Sequence, residues 1–293
     1  MIRLATATLF AIGLALPVRA EIAIQTVTSP GGIAAWLYEE HSLPIVNLAA
    51  SFQGGAALDP PGQEGAASMM AALLEEGAGD LDATAFAEEG ERLAAYMGIG
   101  ASRDSLDVWA QALTERRDAG TELLRSALVE PRFDADAVER GRQRMLASVR
   151  SAENDPEAIA GKAFFAEAFP RHPYARPTDG TTESIAALDV AALRAARERT
   201  LVRDRLRVAV VGDITAAELG PLLDRIFGGL PASGPPLPPV ALPETPGTVR
   251  VIDLDIPQSI VLFGRPASPA PIRTSSPSTS WTTSSGAVAS ARA

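Results

Sequence analysis

Apolar and polar positions alternate with two different periods along this chain, and the switches between them mark the elements. Pro44-Ile45-Val46-Asn47-Leu48-Ala49-Ala50-Ser51-Phe52 is a nearly unbroken apolar run closed by Gly54-Gly55, which predicts a buried strand. Ahead of it, Ile22 to Glu39 reads as two short strands around a Gly31-Gly32 turn. Between Glu64 and Glu76 the residues are strong helix formers. Met69, Ala72, Leu73 and Met70, Leu74 recur at helical spacing there, and Gly77 and Gly79 stop the helix. A second helix is predicted from about Thr84 to Tyr96. From Ser105 to Leu113 the period returns to two, with Leu106, Val108 and Ala110 on one face and Asp107 and Gln111 on the other; only Trp109 breaks the pattern of a half-buried strand.

Helices are predicted for Thr121 to Val129, Asp134 to Ala152, Pro156 to Phe169 and Ser184 to Arg199, the third opening on a proline, which suits a first helical turn. Leu206 to Asp213 follows as a strand and Thr215 to Phe227 as a helix. Strands and helices mix without regular alternation, so the expected class is α+β. Pro231 to Pro246 is dense in proline and poor in charge, as an extended linker would be. Beyond it, Val249 to Phe263 is predicted to begin again as strand. Pro257 to Gly264 echoes Pro44 to Gly54 in its entry proline, apolar run and closing glycine. The expected organisation is a domain over residues 21–230, a linker over 231–248 and the start of a similar domain over 249–266.

Composition narrows the picture. The first 20 residues, Arg3 followed by an apolar stretch from Leu4 to Pro17 and a small-residue cleavage site at Val18-Arg19-Ala20, have the form of a secretory signal peptide. No later segment is long and apolar enough to suggest a membrane span. A net charge of −10 and a pI near 4.8 disfavour nucleic acid, whose phosphates nothing here would neutralise. The absence of cysteine excludes disulfides and zinc–thiolate sites, and a bacterial periplasmic location fits.

Several short segments, none specific alone, occur in a telling order. Gly54-Gly55, Asp59-Pro60-Pro61-Gly62 and Gly65-Ala66-Ala67 precede a helix; then come Glu130-Pro131-Arg132-Phe133, His172-Pro173-Tyr174 and Val211-Gly212-Asp213. Over roughly residues 22–265 the chain thereby resembles the insulinase or pitrilysin-type peptidases and their mitochondrial processing peptidase relatives. The resemblance implies a mixed sheet covered by helices on one face, duplicated into two similar domains around an unfolded peptide. Active relatives carry an inverted motif, His-x-x-Glu-His, whose histidines share a helix face and hold zinc while the glutamate activates water. Here the matching positions are Ser68, Ala71 and Ala72, and the third ligand, a later glutamate, would fall near Ala147 or Ser148. Neither catalytic nor metal-binding residues are therefore expected, and no cofactor.

Other candidates are weaker. Glu75 and Glu76 lie a turn beyond the motif and read as solvated carboxylates rather than a remnant metal site. His41 and His172 stand in unrelated segments, which favours loop or packing roles, and Asp104 and Asp107 are expected on a solvated face. No Gly-x-Ser-x-Gly elbow is present, and Gly98-Ile99-Gly100 lacks the third glycine of a dinucleotide loop.

The resemblance implies a non-catalytic partner of a catalytic homologue that binds extended peptide by strand addition. The edge strand would begin at Gly100, with Ala101, Ser102 and Arg103 lining the groove. Two rival expectations are an active zinc endopeptidase with atypical ligands and a defective truncated product. The tail from Ala267 to Ala293, without Asp, Glu or Lys, suggests the latter's origin. Reading it one base out of phase permits a glycine-rich run like that of the family's second domain, as loss of one base near Pro266 would produce.

Overall fold

The computed structural model describes residues 23–244, 247, 249–264 and 289–291. The signal peptide expected over residues 1–20, and the tail from 267 apart from Ala289–Ala291, lie outside the described residues. The architecture is α+β. A six-stranded mixed sheet runs in the order β1-β2-β8-β3-β7-β6, built from β1 (Gln25–Thr28), β2 (Ala34–Glu39), β3 (Ile45–Gln53), β6 (Tyr96–Ala101), β7 (Ser105–Leu113) and β8 (Leu206–Gly212). Only β2 and β8 pair in parallel; the other neighbours are antiparallel. A separate two-stranded ribbon joins β4 (Gly77–Ala78) to β5 (Leu81–Asp82).

Helices α1 (Ala66–Leu73), α2 (Ala83–Leu93), α3 (Arg117–Val129), α4 (Ala135–Ala152), α5 (Pro156–Ala168), α6 (Thr182–Ala187), α7 (Val190–Thr200) and α8 (Ala216–Phe227) complete it. One sheet face supplies Leu37, Val46, Leu48, Phe52, Leu106, Val108, Val208 and Val210 to the core. Met69, Met70, Leu73 and Leu74 from α1 and its end, Leu124 and Leu128 from α3, and Leu223 and Phe227 from α8 close over them. Phe52 meets Phe227 edge to face, with ring centroids 6.2 Å apart. This burial of large apolar side chains, not propensity alone, holds the layers together.

Among the described residues the opposite face of the sheet is left uncovered, so the strand expected to be buried over Pro44–Phe52 is buried on one face. In β3, Val46, Leu48, Ala50 and Phe52 point inward, whereas Asn47, Ala49 and Ser51 point outward. Small outward residues had made an alternating strand look continuous. The register places Trp36, Ala209, Ala49, Trp109 and Gly98 side by side across five strands on that open face. Trp109 therefore breaks its strand's pattern because it lies across a neighbour. A side chain at Gly98 would meet the indole nitrogen at 2.1 Å, so glycine there makes room for Trp109.

Other boundaries moved for local reasons. The helix predicted over Ser184–Arg199 is two. Thr181 and Ser184 form a reciprocal cap for α6, and Asp189 accepts from the Ala192 N–H to start α7 afresh. The strand predicted over Val249–Phe263 shrinks to β9 (Ser259–Val261), paired with β10 (Ala289–Ala291). Val249 and Val251 are 89% and 84% exposed. Their β-rich composition finds no sheet to join, and strand formation needs such neighbours.

Candidate functional site

Helix α1 carries the positions of interest, and its amino terminus is built with care. Gly65 adopts φ 90°, where a side chain would meet the Asp179 carbonyl at 2.9 Å. Asp59 is buried and accepts the Ala67 N–H through both carboxylate oxygens, at 3.1 and 3.2 Å. Burial pushes its pKa up to about 6, against the pull of the Ala67 and Gly65 N–H groups and of Arg199. The Arg199 guanidinium stands 3.7 Å away.

Along the helix, Ser68 is half-buried and its hydroxyl donates to the Thr178 carbonyl at 3.0 Å. Ala71 is packed in the core and Ala72 faces solvent. Ala147 and Ser148 lie exposed on α4. The nearby carboxylates are committed elsewhere. Glu75, half-buried, accepts the Ile99 N–H at 3.0 Å; Glu76 accepts from Arg140 at 3.3 Å and from Arg144 at 2.7 Å, tying α1 to α4. Burial raises the pKa of Glu75, with the Ile99 bond opposing and Glu76 adding to the rise. The expectation that both glutamates are solvated is thus corrected: each joins its helix end to another element. A zinc ion does not fit this donor set, because one hydroxyl and two methyl groups occupy the motif and the flanking carboxylates already have partners. Among the described residues, no three His, Cys, Asp or Glu side chains come together as a metal cage.

The histidines are apart from α1. His41 Nδ1 lies 2.7 Å from Asp213 and Nε2 3.5 Å from Glu39, and the Asp213 bond is the main reason its pKa is raised. His172 Nδ1 accepts the Tyr174 N–H at 3.3 Å and Nε2 donates to the Pro239 carbonyl at 2.9 Å, which fixes one tautomer.

Residues 101–103 sit where the edge strand ends, not where it begins. Ala101 is the last residue of β6, while Ser102 and Arg103 turn toward β7. Their carbonyls accept the N–H groups of Ala56 and Ala57, both at 2.9 Å, within a 3-10 turn at Gly55–Leu58. The Arg103 guanidinium lies 4.0 Å over the Phe165 ring and donates to the Tyr174 carbonyl at 2.7 Å. Tyr174 in turn donates its hydroxyl to Asp104 at 2.5 Å. Asp107 accepts from the Ser51 and Ser105 hydroxyls, both at 2.6 Å. Both aspartates are exposed, as expected, and each also has hydrogen-bond partners there, so the hairpin tip is stapled to α5 and the segment after it.

β6 itself is a terminal strand of the sheet, with no further strand beside it among the described residues. Because the Ile99 N–H turns away from β7, the alternation of an antiparallel ladder turns the backbone groups of Met97 and Ala101 outward as well. Sequence reasoning extended the preceding helix to Tyr96 and missed most of this strand. Its one signal was the turn at Ser102–Asp104 followed by the alternating run from Ser105.

Two family models match the chain: Insulinase (Peptidase family M16) over residues 36–182 and Peptidase M16 inactive domain over residues 187–282. The chain is 28% identical over 231 residues to the non-peptidase homolog YmxG of Helicobacter pylori, covering 78% of this chain and 54% of that one. An uncharacterised zinc protease of Mycobacterium leprae is 26% identical over 164 residues, 56% of this chain and 37% of that one. The crystal structure of a peptidase M16 inactive domain from Pseudomonas fluorescens superposes with a TM-score of 0.68 at 26% identity, covering 72% of this chain and 52% of that one. The chain spans about half the length of the curated relatives it matches.

Proposed function

Since this chain belongs to the insulinase (M16) peptidase family, we propose that it is a non-catalytic member that binds extended polypeptide and serves a catalytic homologue as an accessory subunit. The observation that carries this is the chemistry of α1: Ser68, Ala71 and Ala72 offer neither the two ligands nor the general base. The named likeness to a non-peptidase homologue and to an M16 inactive domain supports it. The fold around the vacated positions is nevertheless intact, with a capped α1 packed beneath the β6 edge. What the chain keeps is a surface for binding.

An extended segment adding to β6 would hydrogen-bond to outward backbone groups of Met97 and Ala101, which gives affinity with little demand on sequence. In this reading residues 1–20 direct export, and the protein acts in the periplasm beside its catalytic partner. A specific complex would bury on the order of a thousand Å² or more.

Co-expression with a homologue carrying an intact His-x-x-Glu-His, followed by size-exclusion chromatography, tests the pairing; co-elution is expected, and two independent monomers would count against it. Purified chain alone is expected to retain no stoichiometric zinc and to leave an unstructured peptide intact. Chelator-sensitive cleavage would overturn the non-catalytic reading.

A further inference from the structure

The β6 edge is not simply free. Its outward positions are Met97, Ile99 and Ala101, and the central one is already taken by a side chain of this same protein. A carbonyl of an added strand would have to sit about 2.9 Å from the Ile99 nitrogen, in the plane of the sheet. The Glu75 Oε1 occupies that place at 3.0 Å. With the centre filled, Met97 and Ala101 are separated by a blocked position, and no two neighbouring outward sites remain for a ladder. The bond is one the protein invests in, because the Glu75 carboxylate is half-buried and Ile99 is its one hydrogen-bond partner among the described residues. Arg140 and Arg144 pair with the neighbouring Glu76 instead.

We propose that Glu75 is a built-in competitor for the β6 edge, an autoinhibitory side chain that any bound strand must displace. The inference rests on the reading that this edge binds extended polypeptide. A blocked centre would also disfavour pairing between the β6 edges of two copies, a liability of exposed edge strands in general. It also sets a threshold, since only a segment with enough added contacts along the strand can replace the carboxylate.

The test uses the full chain and a short fluorescein-labelled peptide alternating Val and Ser, read by fluorescence polarisation, together with amide hydrogen exchange at Ile99 by NMR. Glu75→Ala is expected to bind the peptide about tenfold more tightly than the wild type, the equivalent of about 1.4 kcal/mol, and to lose protection at the Ile99 amide. Glu75→Gln, which keeps the shape and a weaker acceptor, is expected to show a smaller gain in the same direction and covers the case in which the alanine variant does not fold. Wild-type binding with no gain in either variant would overturn the competitor role and leave the peptide-binding reading standing. No binding by any of the proteins, with Ile99 protected only in the wild type, would overturn the peptide-binding reading and the competitor role with it. Equal Ile99 protection in all three would show that Glu75 does not hold the edge.

Discussion

Asp59 makes a sharp prediction about the pH dependence of stability. The carboxylate is 3% exposed beneath the amino terminus of α1, and burial lifts its pKa from the ordinary 3.8 to about 6. The native state therefore holds a proton on Asp59 between those two values that the unfolded chain has released. The stability from this group is fully present below the unfolded value and is lost as pH rises through about 6. At about 1.4 kcal/mol for each unit of pKa the whole loss is about 3 kcal/mol, of which about 2.4 kcal/mol falls between pH 4 and pH 7, because the unfolded chain is already more than half ionised at pH 4. The perturbation is Asp59→Asn, which keeps the shape and an oxygen to accept the Ala67 N–H but cannot titrate. Urea unfolding followed by helical circular dichroism, for both proteins from pH 4 to pH 7, gives the difference in stability at each pH, in which the titration of distant groups cancels. The wild type should lose ground against the variant by about 2.4 kcal/mol over that range. A fixed offset, from leaving the Arg199 guanidinium without its counter-charge, does not alter the slope. If the wild type instead gains on the variant as pH rises, then the helix amino terminus and Arg199 outweigh burial, and the reasoning is wrong.

Grafting Ser68→His, Ala71→Glu and Ala72→His together should produce neither stoichiometric zinc by plasma mass spectrometry nor chelator-sensitive cleavage, because the third carboxylate is missing at Ala147 and Ser148 and the new glutamate would replace a core alanine. Leu74→Ala empties a fully buried site beside the edge strand and should cost about 2–5 kcal/mol in urea unfolding. Gly212→Ala should destabilise by on the order of 3 kcal/mol in the same assay, since at φ 143° its added methyl would stand 2.2 Å from the Ile45 carbonyl oxygen. His41 should titrate above the usual histidine range by NMR, its contribution present at low pH and lost as pH rises through that raised value; Asp213→Asn should bring the midpoint back down.

What the residues themselves determined was whatever depends on local period or on the presence of a chemical group. The alternation of Ser105 to Leu113 gave β7 within its observed bounds, because one face of that strand is core and the other is not. The spacing of Met69, Leu73 and Leu74 located α1 for the same reason, and the missing imidazoles and carboxylate at Ser68, Ala71 and Ala72 needed no structure to be seen. What only the tertiary structure decided was whatever depends on a partner distant in sequence. Tyr96 to Ala101 carries two glycines that weaken any strand pattern, and it is a strand because β7 pairs with it and Trp109 lies over Gly98. Asp59, which the sequence showed only as the start of Asp59-Pro60-Pro61-Gly62 ahead of a helix, is buried because α1 and Arg199 close over it. Glu75 looked like one more solvated carboxylate near a helix end. Its role appeared only when folding brought it to Ile99, 24 residues away, because the identity of a hydrogen-bond partner is set by where the chain returns and not by the residues on either side.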